Sequence, residues 1–195
     1  MIGWYGTSEL AALTLGHTCL FFIYITLTGF SLAVITNVSQ AFGKEDIQAL
    51  RINFRMGLWL VFGFSLLGLI LVSKTKEFLT YLEQDEYIVG IVSQYIQVVQ
   101  WMMPFLLLTY VIKAFLISVK KQQVVLVISI LGLVTNFVFN YLFIFGNFGF
   151  PELGISGVAC SSLFTSIAMM LSGLLYIHFS DLKEKQIFKD FFVFD

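Results

Sequence analysis

Charged residues are scarce in this 195-residue chain, at 12% of the total, whereas hydrophobic residues make up 58%. An ordinary soluble domain carries roughly a quarter charged residues, so these are too few to coat a soluble globule. The mean hydropathy is +0.91. Eleven Lys and Arg against twelve Asp and Glu leave a net charge of −1. Because no excess of basic residues exists to attract phosphates, the composition excludes DNA and RNA as partners.

Catalytic and metal-binding motifs are also missing. The two cysteines, Cys19 and Cys160, lie in apolar runs without a CxxC spacing, which is typical of helix-packing residues. The chain has no GxxxxGK[ST] phosphate loop, no HExxH, no GxSxG and no carboxylate inside a long apolar run. We therefore predict no catalytic residues, no enzyme activity and no cofactor. An ion-coupled or passive carrier, a channel piece and a structural membrane protein remain as classes.

Long apolar stretches are what the sequence does contain. A bilayer core about 30 Å thick requires about 20 apolar residues of helix. Five stretches uninterrupted by charge meet this length, and the missing period-two alternation excludes membrane strands. We predict an all-α, polytopic membrane protein with five transmembrane helices, which span residues of about 10–40, 56–73, 88–112, 124–145 and 154–179.

The basic residues predict the orientation of these spans, because Lys and Arg accumulate on the cytoplasmic side. Only Lys74 and Lys76 follow the second span, and acidic residues outnumber them there. The other nine follow the first, third and fifth spans: Lys44, Arg51, Arg55, Lys113, Lys120, Lys121, Lys183, Lys185 and Lys189. This places the N-terminus outside and the C-terminus inside, in the plasma membrane and, for a bacterium, the inner membrane, with membrane lipid as a partner.

An external N-terminus needs an explanation, since residues 1–8 have neither a basic region nor a cleavable signal pattern. A preceding helix that starts in the cytoplasm would explain both the orientation and the odd number of spans. The alternative is a natural protein whose first hairpin inserts with its N-terminus outside.

Polar residues form stripes along three of the spans. In the fourth, Ser129, Gly132, Asn136 and Asn140 recur at steps of three and four, which predicts a face toward the bundle or a wet cavity. The opposite side is apolar and is made of Val127, Leu131, Val134, Val138, Leu142 and Phe145. In the fifth, small residues follow the spacing that allows close helix packing: Gly154, Gly157, Ser161, Thr165, Ala168 and Ser172. Their hydroxyls could also contact an ion.

The first and third spans carry further candidates. His17 begins a stripe with Tyr24, Thr28 and Ser31, and it is either a proton carrier or an interhelical hydrogen-bonding residue. Pro104 has no amide hydrogen, so we expect the carbonyl of Gln100 to be unpaired and the helix to kink there. A broken helix beside Gln94, Gln97 and Trp101 is either structural or part of a cavity for flat organic molecules, which makes Gln100 a possible substrate contact.

Several segments together resemble the MATE (multidrug and toxic compound extrusion) family of exporters, of the NorM-like type. The most specific is NFVFNYLFIFGNFGFPELGISG, residues 136–157, which resembles the link between the family's fifth and sixth helices. Supporting segments occur in family order: Leu10-Ala11-Ala12, then residues 40–46 with Arg51 and Arg55, then Tyr95 with Pro104-Phe105 ahead of Lys113. The resemblance covers essentially the whole chain.

This resemblance implies two six-helix lobes with both termini cytoplasmic. Residues 1–180 would be a partial N-terminal lobe, helices two to six, and residues 181–195 the cytoplasmic start of the inter-lobe linker. In the family, an acid on the first helix forms a Na⁺ or H⁺ coupling site with residues that match Asn136 and Asn140. Ser162 matches a sixth-helix hydroxyl of some members. No other metal site is implied.

The function implied by the resemblance is part of a secondary transporter that exchanges amphipathic organic cations for Na⁺ or H⁺ by alternating access. The first helix and the C-terminal lobe would then be supplied in cis or by another chain. One alternative is a truncated, inactive fragment or a half-transporter that needs a partner chain. Another is a lipid-linked glycan flippase of the same superfamily, which we expect to have a more cationic cavity, whereas no basic residue is predicted in mid-span.

Overall fold

Seven α-helices make up the fold in a computed structural model, which describes residues 6–182 and 187. They are α1 (Thr7–Gly43), α2 (Ile47–Ser73), α3 (Thr75–Tyr81), α4 (Glu86–Val99), α5 (Met102–Ser118), α6 (Gln122–Phe145) and α7 (Gly154–Phe179). Within the described residues there is no strand, so the all-α prediction is confirmed. A short 3₁₀ turn at Asn147–Gly149 links α6 to α7, and α6 ends at Gly146 in the left-handed conformation, with φ of 66°.

Four stretches of helix are long and apolar enough to cross a bilayer: α1, α2 with α3, α6 and α7. α4 and α5 pass the same test together, as a pair bent by 53°. With this pair as one broken span, the five-helix membrane fold is confirmed, and the protein is a multi-pass membrane protein. Of the predicted linker, only Asp181, Leu182 and Ile187 lie within the described residues, so Lys183, Lys185 and Lys189 fall outside them.

Four of the basic residues placed between the predicted spans lie inside helices, so those placements were wrong: Arg51 and Arg55 in α2, Lys76 in α3 and Lys113 in α5. α2 begins at Ile47 because the Asp46 side chain accepts a hydrogen bond from the backbone N–H of Ala49, so Arg51 and Arg55 belong to that helix. α5 likewise continues past Lys113 to Ser118. The predicted spans were bounded at charged residues and were therefore too short. A long basic side chain can lie within a helix because it extends toward a polar partner or the membrane interface.

The break between α4 and α5 differs in detail from the predicted proline kink. The carbonyl of Gln100 is paired: it accepts a hydrogen bond from the backbone N–H of Met103 at 3.1 Å. The N–H of Trp101 bonds to the carbonyl of Val98, three residues back, so the chain tightens into a 3₁₀-like turn there. The bend therefore precedes Pro104 and leaves no orphan carbonyl at Gln100.

The buried side chains form two clusters along the bundle. One lies toward the α5–α6 turn and joins α1, α2, α5 and α7, with Ile128 of α6, around Phe54, Leu107 and Phe115. Leu182 and Ile187 are buried against it. The other lies toward the opposite end and joins α1, α4, α7 and the start of α5 around Val92 and Met103, with Val72 of α2 and Leu79 of α3 at its edge. α5 is thus the centre of the bundle, and α7 contributes to both clusters.

α6 is the least enclosed of the long helices. It packs along α7 and touches α5 more lightly. Its close approach to α7 requires glycine: a Cβ on Gly157 would lie 2.5 Å from the carbonyl oxygen of Phe143, and Gly132 lies against Met169. On the far side, Val127, Leu131, Val134 and Val138 are exposed, as the sequence periodicity predicts for a lipid-facing surface.

Candidate ion-coupling site

Two asparagines of α6 contact each other one helical turn apart. The Asn140 side-chain N–H donates a hydrogen bond to Oδ1 of Asn136 at 2.9 Å. Oδ1 of Asn140 is itself buried and has no hydrogen-bond partner among the described residues. Because a buried amide oxygen without a donor costs free energy, this atom marks a place where a ligand or a further donor would be favourable.

The pair lies in a cavity of about 440 Å³ between α1, α6 and α7, which we call the asparagine cavity. Leu13 contributes from α1 and Val158 from α7, and the α6 side of the cavity is completed by Leu133, Phe137 and Ile144. The surrounding side chains are apolar, so the two amides are the polar groups of this lining. A charge that entered here would depend on them for most of its solvation.

The asparagine cavity does not by itself complete a cation site. The family resemblance implies an ion site shared by both asparagines, whereas in this structure one of the two amide oxygens already accepts the neighbouring amide. No carboxylate is among the lining residues, and the described part of the chain has no group of three or more His, Cys, Asp or Glu that could hold a metal. A hard cation takes six or more oxygens in its usual protein sites, so further ligands must come from elsewhere.

The other predicted contacts lie apart from this lining. His17 is exposed on α1. Ser162 donates its hydroxyl to the carbonyl of Val158 on its own helix, at 3.0 Å. The amide of Gln100 donates to the carbonyl of Gln97 at 3.1 Å, at the α4–α5 break. Nothing in the structure tests a role for these three in ion or substrate binding.

A second cavity of about 440 Å³ lies along α1 at the level of the last turns of α5. Lys113 of α5 and Ser31 of α1 line it, and we call it the lysine cavity. Sequence reasoning placed Lys113 in a loop and therefore missed it. The sequence did offer one clue: Lys113 lies six residues, more than one helical turn, before Val119-Lys120-Lys121, where α5 ends.

The α5–α6 turn carries an ion pair outside the membrane spans. Nζ of Lys121 lies 2.7 Å from a carboxylate oxygen of Asp181, just beyond the end of α7. The hydrogen bond to Asp181 raises the pKa of Lys121 above its ordinary value. The pair is largely solvent-exposed, so it positions the chain more than it stabilises the bundle.

With this arrangement of helices and polar groups established, comparison with known proteins decides the family. The MatE family model matches residues 1–142. The chain belongs to the MatE family. Its helical bundle matches a crystal structure of MATE in the bent conformation, with a TM-score of 0.83 over 94% of this chain and 40% of that one. The sequence identity there is 18%, so this likeness concerns the fold.

Curated relatives of this MatE chain include probable multidrug resistance proteins NorM. The one from Rhizobium meliloti (strain 1021) is 34% identical over 163 residues, which is 84% of this chain and 35% of that protein. The one from Agrobacterium fabrum (strain C58 / ATCC 33970) is 28% identical over 177 residues, 91% of this chain and 38% of that protein. The chain thus spans between a third and two-fifths of the length of these relatives.

Proposed function

We propose that this MatE segment is part of a secondary multidrug efflux transporter that exchanges amphipathic organic cations for Na⁺ or H⁺, and is not an enzyme. Family membership and the names of the relatives support the transporter class. The observation that carries the coupling step is the buried, unpaired Oδ1 of Asn140 in the asparagine cavity. Such an oxygen can accept a hydrogen bond from a protonated acid or ligate a hard cation.

The packing of α6 supports a role in alternating access. α6 is held along α7 but borders an open cavity toward α1. An ion bound at Asn140 would favour the conformation of the bundle in which the other ligands of the ion lie against α6. Differential affinity of that kind shifts a two-state equilibrium between outward-facing and inward-facing forms.

The missing ligands and the substrate cavity belong, in this proposal, to a preceding transmembrane helix and a second lobe. These parts would be supplied in cis or by another chain, and the short coverage of the relatives supports their existence. A truncated, inactive chain or a half-transporter is the alternative. Energised vesicles that contain residues 1–195 alone should therefore accumulate no organic cation, and accumulation against a gradient would contradict the need for further parts.

A glycan flippase remains the other transport alternative. The sequence predicts no basic residue in mid-span, which disfavours a flippase, but Lys113 lies inside α5, five residues before its end, and lines a cavity, which weakens this objection. The NorM relatives favour drug export over lipid-linked glycans.

The coupling proposal is tested in a chimera in which this segment replaces the matching third of the Rhizobium meliloti relative. Asn140→Ala should strongly reduce ion-dependent efflux of a fluorescent organic cation, with protein abundance and thermal stability nearly unchanged. Asn37→Ala, at an exposed asparagine of α1, is the matched control and should leave efflux intact. Collapse of stability, or efflux that keeps its dependence on the ion, would leave Asn140 as a packing residue only.

The orientation in the bacterial inner membrane is proposed from the basic residues. It places Lys120 in the cytoplasm and Asn147 outside. A membrane-impermeant thiol reagent should modify a cysteine at position 147 and not one at position 120 in intact cells, and the reverse pattern would invert the topology.

A further inference from the structure

Lys113 is an ammonium group held within the membrane-spanning part of the bundle. It lies five residues before the end of α5 at Ser118, and its Nζ is 3.1 Å from the hydroxyl oxygen of Ser129 on α6. Ser129 lies seven residues after the start of α6, so this contact is about 10 Å inside the helix end at a rise of 1.5 Å per residue. A charge inside a membrane-spanning helix is costly and usually serves a binding or transport role.

The hydrogen bonds of Lys113 leave capacity for a ligand. An ammonium has three N–H donors. Ser129 donates its own hydrogen to the carbonyl of Val125, so its oxygen is the acceptor for Lys113. This is the single hydrogen bond that the structure gives Lys113 within residues 6–182 and 187, and the lysine also lines the lysine cavity.

Ser31 faces the same cavity with a second unused donor. Its side chain is only 5% exposed, and its hydroxyl has no partner among the residues that the structure describes. Other hydroxyls of α1 behave differently: Thr26, Thr28 and Thr36 each donate to a carbonyl one turn back on the helix. Ser31 therefore carries the desolvation cost of an unsatisfied group that its neighbours avoid.

These donors determine the chemistry that fits. A positive charge on α5 and an unpaired hydroxyl on α1, both from residues that line one cavity, favour an anionic acceptor and repel an organic cation. The rest of the lining is mainly apolar, with Ile25, Leu32 and Ile117 along its length. A volume of about 440 Å³ is in the usual range for a small-molecule site.

We propose that Lys113 and Ser31 bind the carboxylate or phosphate head of an amphipathic anion, whose apolar tail lies in the lysine cavity between α1 and α5. This site is separate from the asparagine cavity and does not depend on the transport proposal. Its ligand could be a membrane phospholipid or a free fatty-acid-like carboxylate, since both present oxygens to the ammonium and an alkyl chain to the apolar wall.

Binding is measured directly on the purified 195-residue chain in a neutral detergent, by native mass spectrometry with dodecanoate as the probe. Lys113→Met should weaken dodecanoate binding about tenfold, the usual effect of losing one hydrogen bond to a charged group. Ser31→Ala should weaken it a few fold, and because it removes a hydroxyl with no described partner it should not impair folding. Lys113→Arg should retain binding, and Lys44→Met, at an exposed lysine, is the matched control.

Competition distinguishes the two sources of the anion. Displacement of dodecanoate by phosphatidylglycerol, but not by phosphatidylcholine, would assign the site to anionic membrane lipid, whereas no displacement by either would assign it to a free carboxylate. Dodecylamine should not compete. Unchanged dodecanoate affinity in both Lys113→Met and Ser31→Ala, or equal competition by dodecylamine, would overturn the proposal. Since no transport is measured, this result is independent of the efflux assay.

Discussion

α5 and α6 are consecutive apolar helices with opposite environments. Phe115, Leu116, Leu107 and Val111 of α5 are completely buried, and α5 packs on α1, α2 and α7. On α6 the buried positions are Ile128, Gly132, Phe143 and Ile144, which lie toward α7 and α5 or near the helix end. Similar hydrophobicity therefore produces a central helix in one case and a peripheral helix in the other.

The difference shows that apolar content does not decide burial inside a membrane, because lipid is as apolar as a leucine side chain. Polar and small residues decide it instead. α6 carries Ser129, Asn136 and Asn140 along the side that borders the two cavities, whereas the opposite side is mainly aliphatic. A helix with such a polar side is stable when another group covers that side.

The largest effect should come from truncating the centre of α5. Phe115→Ala removes a ring that is 0% exposed and packs 4.3 Å, centroid to centroid, from Phe54. Loss of these contacts should cost about 3 kcal/mol or more in unfolding free energy. Phe137→Ala on α6, where the ring is 63% exposed, is the matched control and should cost far less. Steric-trap unfolding in bicelles measures both, and equal costs would contradict the contrast between the helices.

The contact of α6 with α7 should be sensitive to one methyl group. In Gly157→Ala the new Cβ would overlap the Phe143 carbonyl, and because this is backbone the two helices must separate. The expected cost is about 1–3 kcal/mol, as for other overpacked sites. Gly63→Ala on α2, where nothing lies within 4 Å, should be neutral or slightly stabilising. If both variants had the same thermal midpoint, α6 would not be anchored as described.

A hydrogen bond between helices gives a smaller test. The Ser118 hydroxyl lies 3.1 Å from the carbonyl of Ile35 on α1 and 2.9 Å from that of Ala114. Ser118→Ala should cost about 1 kcal/mol, the usual value for such bonds in membranes. Ser73→Ala removes a hydroxyl whose one hydrogen bond within residues 6–182 and 187 is to the Ile70 carbonyl of its own helix, and it should cost less. A larger loss in Ser73→Ala would count against the tie between α5 and α1.

The ion pair at the α5–α6 turn should have the smallest effect. Asp181 raises the pKa of Lys121, so the contribution of this pair to stability is complete below the ordinary lysine pKa and disappears as pH rises through the raised value. Asp181→Asn should shift the thermal midpoint slightly at pH 7 to 9, less in high salt, and not at all once Lys121 is neutral. A difference that grew with rising pH would have the wrong sign for this pair.

The helical membrane fold could be predicted from the sequence, because the bilayer requires an apolar composition and apolar stretches of about 20 residues, and both are visible in the sequence. The sequence also predicted the lipid side of α6, since a period of 3.6 residues separates Val134 from Asn136 without knowledge of neighbours. The prediction of helix bounds from the sequence failed where a charged side chain is buried or bonded to another helix. Lys113 and Arg55 looked like span ends, and only the packed bundle shows one of them bonded to Ser129 and the other buried.

In the candidate site, too, local features could be predicted from the sequence, whereas contacts between helices could not. Spacing brought Asn136 and Asn140 to one face, which is a local property of the helix. The hydrogen bond from the Asn140 amide to Asn136 is also local to α6. That Leu13 and Val158 close the cavity around the pair depends on α1 and α7 and could not be predicted from α6 alone. The carbonyl of Gln100 was likewise paired by a 3₁₀-like turn that the proline rule does not include.

The most direct test of the account is whether the polar side of α6 is open in this chain and covered in a complete transporter. A nitroxide at Leu133, which lines the asparagine cavity and is 72% exposed, should be accessible to oxygen in the reconstituted chain. In the chimera with the Rhizobium meliloti relative it should lose that accessibility and become immobilised. A nitroxide at Val134, on the lipid side, should be accessible in both proteins. Leu133 equally accessible in both, or Val134 covered in the chimera, would contradict the proposal that a further helix completes this lobe at α6.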